Sequence, residues 1–218
     1  YVRLVDVMGS DLTVVNAARV SYDKESTELN EKDRRLIRFL AREGHSSPFR
    51  HASAQFEVYA PLRVGRQWGK YVVGSDHVMD AWNEVSRRYI TEEPTFYVPA
   101  ADKWRSAPEN SKQGSGDPVE WIVGQDLTGD LEELIEESMK LYEKALNRGV
   151  APEQARLFLP AYGMYVRWRW TASLQSVCHF LSQRLADDAQ REIAEYARAV
   201  YALVKPHFPV SVSDLVAE

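Results

Sequence analysis

Apolar residues recur every three to four positions in several segments of the chain, and this spacing predicts helices. One helix is predicted over 31–43, where Asn30 can cap the first turn and Gly44 can end the last. The most regular pattern covers 130–149, with acidic residues early, basic residues late and Gly149 after the end. Further helices are predicted between Pro152 and Pro160, where the short helix carries Arg156, over 173–184, and over 186–204.

A different pattern occupies 54–60, where the sequence AQFEVYA alternates between small or apolar and more polar residues. This alternation predicts a half-buried strand that ends at Pro61. Between about 101 and 129 the chain is rich in Pro, Gly, Ser, Asp and Asn, which predicts a long surface loop. The expected fold class is therefore α+β, dominated by helices.

Composition narrows the class of protein. The chain has 218 residues, of which 44% are hydrophobic and 27% charged, as in a soluble globular protein of one or two domains. It has no apolar run long enough to span a membrane and no secretory signal pattern at its start, so we expect a cytoplasmic protein without a membrane partner. The net charge of −5 argues against a nucleic-acid polymer as partner.

A single cysteine, Cys178, excludes an intrachain disulfide and a multi-cysteine metal site, and its apolar neighbours predict a buried side chain. His45 and His51 lack a nearby acid or cysteine at a familiar ligand spacing, so no metal site is expected. They are interpreted as structural histidines or as polar contacts to a cofactor.

The segment RQWGKYVVGSDHVMDAWNEVSRRY, residues 66–89, concentrates polar and cationic side chains. If 83–89 were helical, Glu84 and Arg88 would form a surface ion pair worth about 0.3–0.5 kcal/mol. The same residues could instead hold a nucleotide, because an arginine fork matches a phosphate and Ser or Asn groups can bind a base or ribose. The segment alone leaves both interpretations open.

Several motifs occur in a fixed order along the chain: AARVSYD at 17–23, GHSSPFRH at 44–51, RQW at 66–68, NEVSRRY at 83–89, EQARLFLP at 153–160 and FLSQRLADDAQREI at 180–193. In this order and spacing they resemble the flavin-dependent thymidylate synthases over nearly the whole chain. NSKQGS at 110–115 is similar to a subgroup that includes many phage proteins. The resemblance implies one domain over 1–218 with the family fold and a mostly antiparallel sheet.

The resemblance also implies an activity, which is the methylation of dUMP to dTMP by a homotetramer with active sites shared between subunits. FAD would be the cofactor, and methylenetetrahydrofolate and NADPH the co-substrates. The implied dUMP-binding residues are Gln67, Glu84, Ser86, Arg87, Arg88, Arg156 and Arg184, with Tyr89 beside them. The implied catalytic residues are Arg184, which would stabilise charge on the pyrimidine, and Ser86. The implied FAD and folate contacts are Ser21, His45, Ser47, Lys70, Tyr71, Val72, Glu84, His179 and Asp188.

The chain also departs from the family pattern. Lys70, Tyr71 and Val72 stand where the family has Arg-His-Arg, Asp188 stands where it has His, and residues 75–81 form an insertion whose His77 could replace the missing imidazole. Each lost charge-assisted hydrogen bond would weaken cofactor binding by about 1.5–3 kcal/mol. Two alternatives therefore stay open. The chain could methylate or hydroxymethylate another pyrimidine nucleotide, or it could be a nucleotide- or FAD-binding homologue without catalysis. The expected setting is the cytoplasm of a bacterium or of a phage-infected cell.

Overall fold

The computed structural model describes residues 1–72, 81–85, 93–108 and 114–216, without the side chains of Tyr71 and Val72. The strands are β1 (Val2–Met8), β2 (Ser53–Pro61), β3 (Ala81–Glu84) and β4 (Tyr165–Ser173). The α-helices are α1 (Asp11–Arg19), α2 (Glu31–Arg42), α3 (Leu62–Val72), α4 (Trp121–Asn147), α5 (Pro152–Ala155), α6 (Leu174–Arg184), α7 (Arg191–Val204) and α8 (Pro209–Leu215). Short 3-10 turns cover Val20–Tyr22, Ser47–His51, Ala101–Lys103 and Arg156–Phe158.

The four strands form one sheet in the order β1-β2-β4-β3. β1 runs antiparallel to β2, and the register extends from the pair Val2 and Val58 to the pair Met8 and Ser53. The predicted strand is confirmed, because the alternating residues Ala54, Phe56, Val58 and Ala60 are at most 1% exposed. The α+β class with an antiparallel sheet is thus observed.

Fully buried aromatic rings hold α3, β4 and α6 together. The ring of Trp68 on α3 stacks on Phe180 of α6 with centroids 4.3 Å apart, and it meets Trp168 and Trp170 of β4 edge-on at 5.6 and 5.5 Å. Such aromatic pairs contribute about 0.5–1.5 kcal/mol each beyond the area they bury. Because Gln67 precedes Trp68, this cluster also fixes where the RQW motif lies.

The residue contacts group into two compact units. Unit 1 comprises Tyr1–Val58, Arg66–Asn83 and Trp168–Glu218, and unit 2 comprises Tyr59–Gly65 and Glu84–Arg167. The organisation of 1–218 as one domain stays a prediction.

Polar side chains cap several helices. Asn30 accepts hydrogen bonds from the amides of Lys32 and Asp33 and so begins α2 as predicted. In unit 1 the carboxylate of Asp11, only 2% exposed, accepts hydrogen bonds from the amides of Val210 and Ser211 at 2.7 and 2.9 Å and from the Ser211 hydroxyl. This buried carboxylate therefore joins the start of α1 to the start of α8.

Two predicted boundaries are wrong. The loop predicted over 101–129 is helical from Trp121, so α4 begins nine residues before the predicted start at 130. Gly124 lies in this early part of the helix, and a Cβ at this position would clash with the backbone of Ala101, so only glycine allows the helix to pack there. The helix predicted from 186 begins instead at Arg191. The two aspartates in 186–190 favour turns over helix interiors, and a turn is observed there.

The solvent-facing side of β1, β2 and β4 in unit 1 carries an ion-pair cluster around Glu57. Its carboxylate accepts from Arg3 at 3.1 Å, from Arg169 at 3.3 Å and from the Tyr1 hydroxyl at 3.1 Å. Burial alone would raise the pKa of Glu57, but the hydrogen bonds from Arg3 and Tyr1 and the two arginine charges outweigh it and lower the pKa. The charged form of Glu57 is thus the stabilising one.

Within the described ranges, no helix has the length and apolar character that crossing a membrane requires.

Candidate nucleotide and flavin site

In unit 1 the predicted site residues Gln67 and Arg184 lie on two helices that the aromatic cluster joins. Gln67 is half-buried on α3, and its Nε2 donates a hydrogen bond to Oε1 of Gln190. Arg184 is half-buried in the last turn of α6, and its Nε is buried. These polar groups are therefore held on a rigid support, as the precise binding of a ligand requires.

In unit 2 the predicted site residue Arg156 opens the 3-10 turn that follows α5. Pro152 begins the short helix, Ala155 is fully buried, and the carbonyl of Arg156 accepts from the amide of Leu159 at 3.1 Å. The Nε of Arg156 is buried and has no hydrogen-bond partner among the described residues. A buried guanidinium donor without an acceptor is unfavourable unless a ligand provides one, and a phosphate matches its fork.

The NEVSRRY motif begins on a strand. Residues 81–84 form β3, so the helical interpretation of 83–89 is wrong at its start. Glu84 is exposed at the end of β3, and the amide of Val85 donates to the carbonyl of Arg167 at 2.8 Å. The predicted residues Ser86, Arg87 and Arg88, with Tyr89, lie outside the described residues, as do His77 and residues 110–113.

The residues predicted on the flavin side are mostly exposed. His45 and Ser47 lie in the turn after α2, where the His45 ring meets the Phe39 ring edge-on at 5.8 Å. Ser21 is exposed in the 3-10 turn Val20–Tyr22. Next to that turn lies a cleft of about 750 Å³, lined by Thr13, Asn16, Ala17, Val20, Asp23, Lys24, Glu25 and His51. Unit 1 thus offers hydroxyl and imidazole groups beside a cleft large enough for part of a cofactor.

Other predicted cofactor contacts follow α3 and α6. Lys70 is exposed in the last turn of α3, His179 is half-buried on α6, and Asp188 is exposed before α7. The side chains of Tyr71 and Val72 lie outside the described residues. Among the residues that the structure describes, no cluster of three His, Cys, Asp or Glu side chains could hold a metal ion.

The predicted residues therefore separate by compact unit. Unit 1 contains Ser21, His45, Ser47, Gln67, Lys70, His179, Arg184 and Asp188, whereas unit 2 contains Glu84 and Arg156. Gln190 was not predicted, although it contacts Gln67. Its only signal in the sequence is a position inside the FLSQRLADDAQREI motif.

Cys178 is 1% exposed on α6, as predicted. Burial raises the pKa of its thiol far above the ordinary value, and the nearby Asp11 charge acts in the same direction. A thiol in this setting is not a nucleophile, so Cys178 is a core residue.

The fold and these residues define a helix-rich α+β protein with buried cationic groups suited to an anionic ligand. Residues 3–210 match the family described as thymidylate synthase complementing protein, and the chain belongs to this family. It is 36% identical over 209 residues to a flavin-dependent thymidylate synthase of Thermotoga neapolitana, with 96% of this chain and 87% of the relative covered. It is 38% identical over 211 residues to the enzyme of that name from Thermus thermophilus, with 97% and 73% covered. The family resemblance is confirmed.

Two solved structures are similar to this chain in fold. The structure of a UMP/dUMP methylase, PolB from Streptomyces cacaoi, bound with 5-Br dUMP has a TM-score of 0.83 and 32% identity, covering 98% of this chain and 93% of that one. The same protein bound with 5-Br UMP has a TM-score of 0.81 and 30% identity, covering 98% and 92%. The predicted fold is confirmed.

Proposed function

We propose that this protein is a flavin-dependent thymidylate synthase that methylates dUMP to dTMP, with FAD as cofactor and methylenetetrahydrofolate and NADPH as co-substrates. The family match over residues 3–210 supports the reaction. The structural observation that carries the proposal is the buried Nε of Arg156, a cationic donor without an acceptor among the described residues. The dUMP phosphate would be that acceptor.

In this proposal the chain's own residues bind and polarise the nucleotide. Arg156 holds the phosphate, Gln67 offers its amide to the nucleotide, and Arg184 faces the pyrimidine carbonyls. A cation there stabilises negative charge that develops on the ring while C5 acts as the nucleophile. When bound, FAD supplies the redox and one-carbon transfer chemistry that amino-acid side chains lack. The buried Cys178 is consistent with this division, because no covalent attack by cysteine is needed.

The donor set of unit 1 fits a flavin dinucleotide in part. His45, Ser47 and Ser21 are exposed hydrogen-bonding groups, and Lys70 is an exposed cation that suits a pyrophosphate. Asp188 is an exposed carboxylate and would repel the same phosphates. We therefore assign Lys70 the phosphate contact and give Asp188 no contact to a phosphate oxygen.

We also propose a homotetramer whose subunits share their active sites. The support is apolar exposure next to site residues: Val20 and Tyr22, which flank Ser21, are both 76% exposed, and Leu157, which follows Arg156, is 84% exposed. Surface aromatic and aliphatic residues beside polar groups are typical of an interface core. Light scattering should give four chains per particle, and Leu157→Asp should lower both the mass and the activity. A monomeric wild type with full activity would refute the shared sites.

The proposed setting is the cytoplasm of a bacterium or a phage-infected cell, with free nucleotides rather than a nucleic-acid polymer as substrates. The net charge of −5 supports free nucleotides as substrates, because a nucleic-acid polymer would meet no overall attraction.

The deciding experiment is anaerobic reduction of the purified protein, reconstituted with FAD, followed by addition of dUMP and methylenetetrahydrofolate. Formation of dTMP is the expected result. Flavin reoxidation without a methylated product would indicate another substrate. Binding of FAD and dUMP without dTMP formation and without flavin reoxidation would indicate a homologue that has lost catalysis.

A second candidate function is methylation of another pyrimidine nucleotide, because the PolB structures contain both 5-Br dUMP and 5-Br UMP. Competition among dUMP, UMP and dCMP in the same assay separates the candidates. Methylation of dUMP with no product from UMP or dCMP would exclude the second.

Arg184→Ala tests the polarising role. Turnover should fall far more than flavin retention, and Arg184→Lys should recover part of the rate because it keeps the charge without the fork. Equal losses of turnover and flavin would contradict the role.

A further inference from the structure

The hydrogen bond between Gln67 and Gln190 joins two segments 123 residues apart within unit 1. Gln190 precedes α7 with extended backbone angles, φ −63° and ψ 137°, yet its side chain makes no hydrogen bond that caps α7. Its carbonyl accepts from the amide of Ala194 at 3.1 Å, so the backbone is anchored by the helix while the side chain is directed to α3. The Gln190 side chain therefore binds Gln67, whereas the Gln190 backbone binds its own helix.

This bond also orients the Gln67 amide. A glutamine amide has two N–H donors and one oxygen acceptor, and here one N–H of Nε2 is used by Oε1 of Gln190. Among the described residues the Gln67 side chain makes no other hydrogen bond, so its remaining N–H and its oxygen are available to a ligand. An unrestrained glutamine loses side-chain entropy when it is ordered. Ordering Gln67 in advance lowers that cost when a nucleotide binds.

We propose that Gln190 is a positioning residue of the nucleotide site, which holds the Gln67 amide in its binding orientation without touching the substrate. The inference rests on the proposed function, because it takes Gln67 as a dUMP contact. Since an intramolecular hydrogen bond contributes about 0.5–1.5 kcal/mol net, its loss should raise KM for dUMP about 2- to 12-fold.

The test compares steady-state kinetics of the FAD-loaded wild type, Gln190→Ala and Gln190→Glu. Gln190→Ala should raise KM for dUMP about 2- to 12-fold, leave kcat within about twofold and leave KM for the folate unchanged. The reason is that the substitution weakens dUMP binding without affecting the chemical step. Gln190→Glu should restore KM, since a carboxylate oxygen accepts the same hydrogen bond. Arg191→Ala is the matched control, because the exposed Arg191 side chain forms an ion pair with the exposed Glu195 at 3.5 Å on the same helix. An unchanged KM in Gln190→Ala, or equal KM in the Ala and Glu variants, would overturn the proposal.

A double-mutant cycle separates this inference from the proposed function. If the proposed function and the positioning role of Gln190 are both correct, Gln67→Ala raises KM for dUMP, and the double variant has the same KM as Gln67→Ala. If Gln67→Ala raises KM and the two effects add independently, Gln190 has no positioning role although Gln67 binds dUMP. If Gln67→Ala leaves KM unchanged, the assignment of Gln67 to the nucleotide is wrong and the inference falls with it. Melting temperatures of all variants identify any loss that comes from unfolding.

Discussion

Replacing Arg156 by methionine should weaken dUMP binding while leaving the ligand-free fold as stable as before, or more so. The guanidinium has a buried Nε without a hydrogen-bond partner among the described residues. A phosphate would receive up to two charge-assisted hydrogen bonds from it, each worth about 1.5–3 kcal/mol. Loss of one such bond should raise Kd about 10- to 150-fold, and loss of both should abolish measurable binding.

The stability of the ligand-free protein should move in the other direction. A buried donor without an acceptor is destabilising by about 1–3 kcal/mol, whereas methionine has no donor and fills a similar apolar volume. Lost packing of the arginine stem offsets part of this gain. We therefore expect Arg156→Met to change the free energy of unfolding by between zero and about +1 kcal/mol.

The assay combines calorimetric titration of dUMP with urea unfolding, with and without dUMP. At a concentration of 100 times Kd, dUMP should stabilise the wild type by about 2.7 kcal/mol and should not stabilise the variant. Arg105→Met is the matched control, because the Nε of Arg105 is also buried without a partner in the described part of the chain, but no motif places this residue in the site. A Kd within twofold of wild type in Arg156→Met would refute the reasoning, as would equal weakening by Arg105→Met.

Three further predictions concern the fold and the chemistry of single residues. Asp11→Asn should cost about 3 kcal/mol in urea unfolding, because an amide cannot accept from all three donors that start α8, and a loss below about 1 kcal/mol would contradict that role. Cys178 should not react with a thiol reagent in the native protein, because burial raises its pKa, but should react fully in guanidinium, and Cys178→Ala should still form dTMP. Glu57→Gln should destabilise the protein most above pH 4.5, the ordinary pKa of this group, and the difference from wild type should shrink as the pH falls through the lowered pKa. A difference that does not vary with pH would show that the Glu57 charge does not stabilise the fold.

Local signals predicted those helices whose boundaries depend on local contacts. Asn30 caps α2 through amides two and three residues away, so this cap can be predicted from the sequence. The start of α4 cannot be predicted from the sequence. Glycine disfavours helices, so Gly124 indicates a loop, and its packing against Ala101 is known only from the structure. β4 was not predicted although its residues alternate, with Trp168 and Trp170 buried and Arg167 and Arg169 exposed. The sequence of β4 thus carries the period-two signal of a half-buried strand.

The site was predicted through the order of its motifs rather than through any local pattern. That order assigned Gln67, Arg156 and Arg184, whose side chains the structure shows half-buried. Gln190 could not be assigned a role in this way, because its partner Gln67 is 123 residues away and only the fold brings the two together. Contacts of this kind depend on tertiary packing, which the spacing of residues in the sequence does not predict.

The buried carboxylate of Asp11 has a consequence for the order in which the chain folds during synthesis. Its partner Val210 is 199 residues further along the chain, which corresponds to roughly 10–40 s of translation at 5–20 residues per second. Unit 2 lies wholly between Tyr59 and Arg167, so all of its residues have been made before α6, α7 and α8. Unit 2 can therefore fold first on the ribosome. The unit that contains Gln67 and Arg184 is completed only when α8 has emerged.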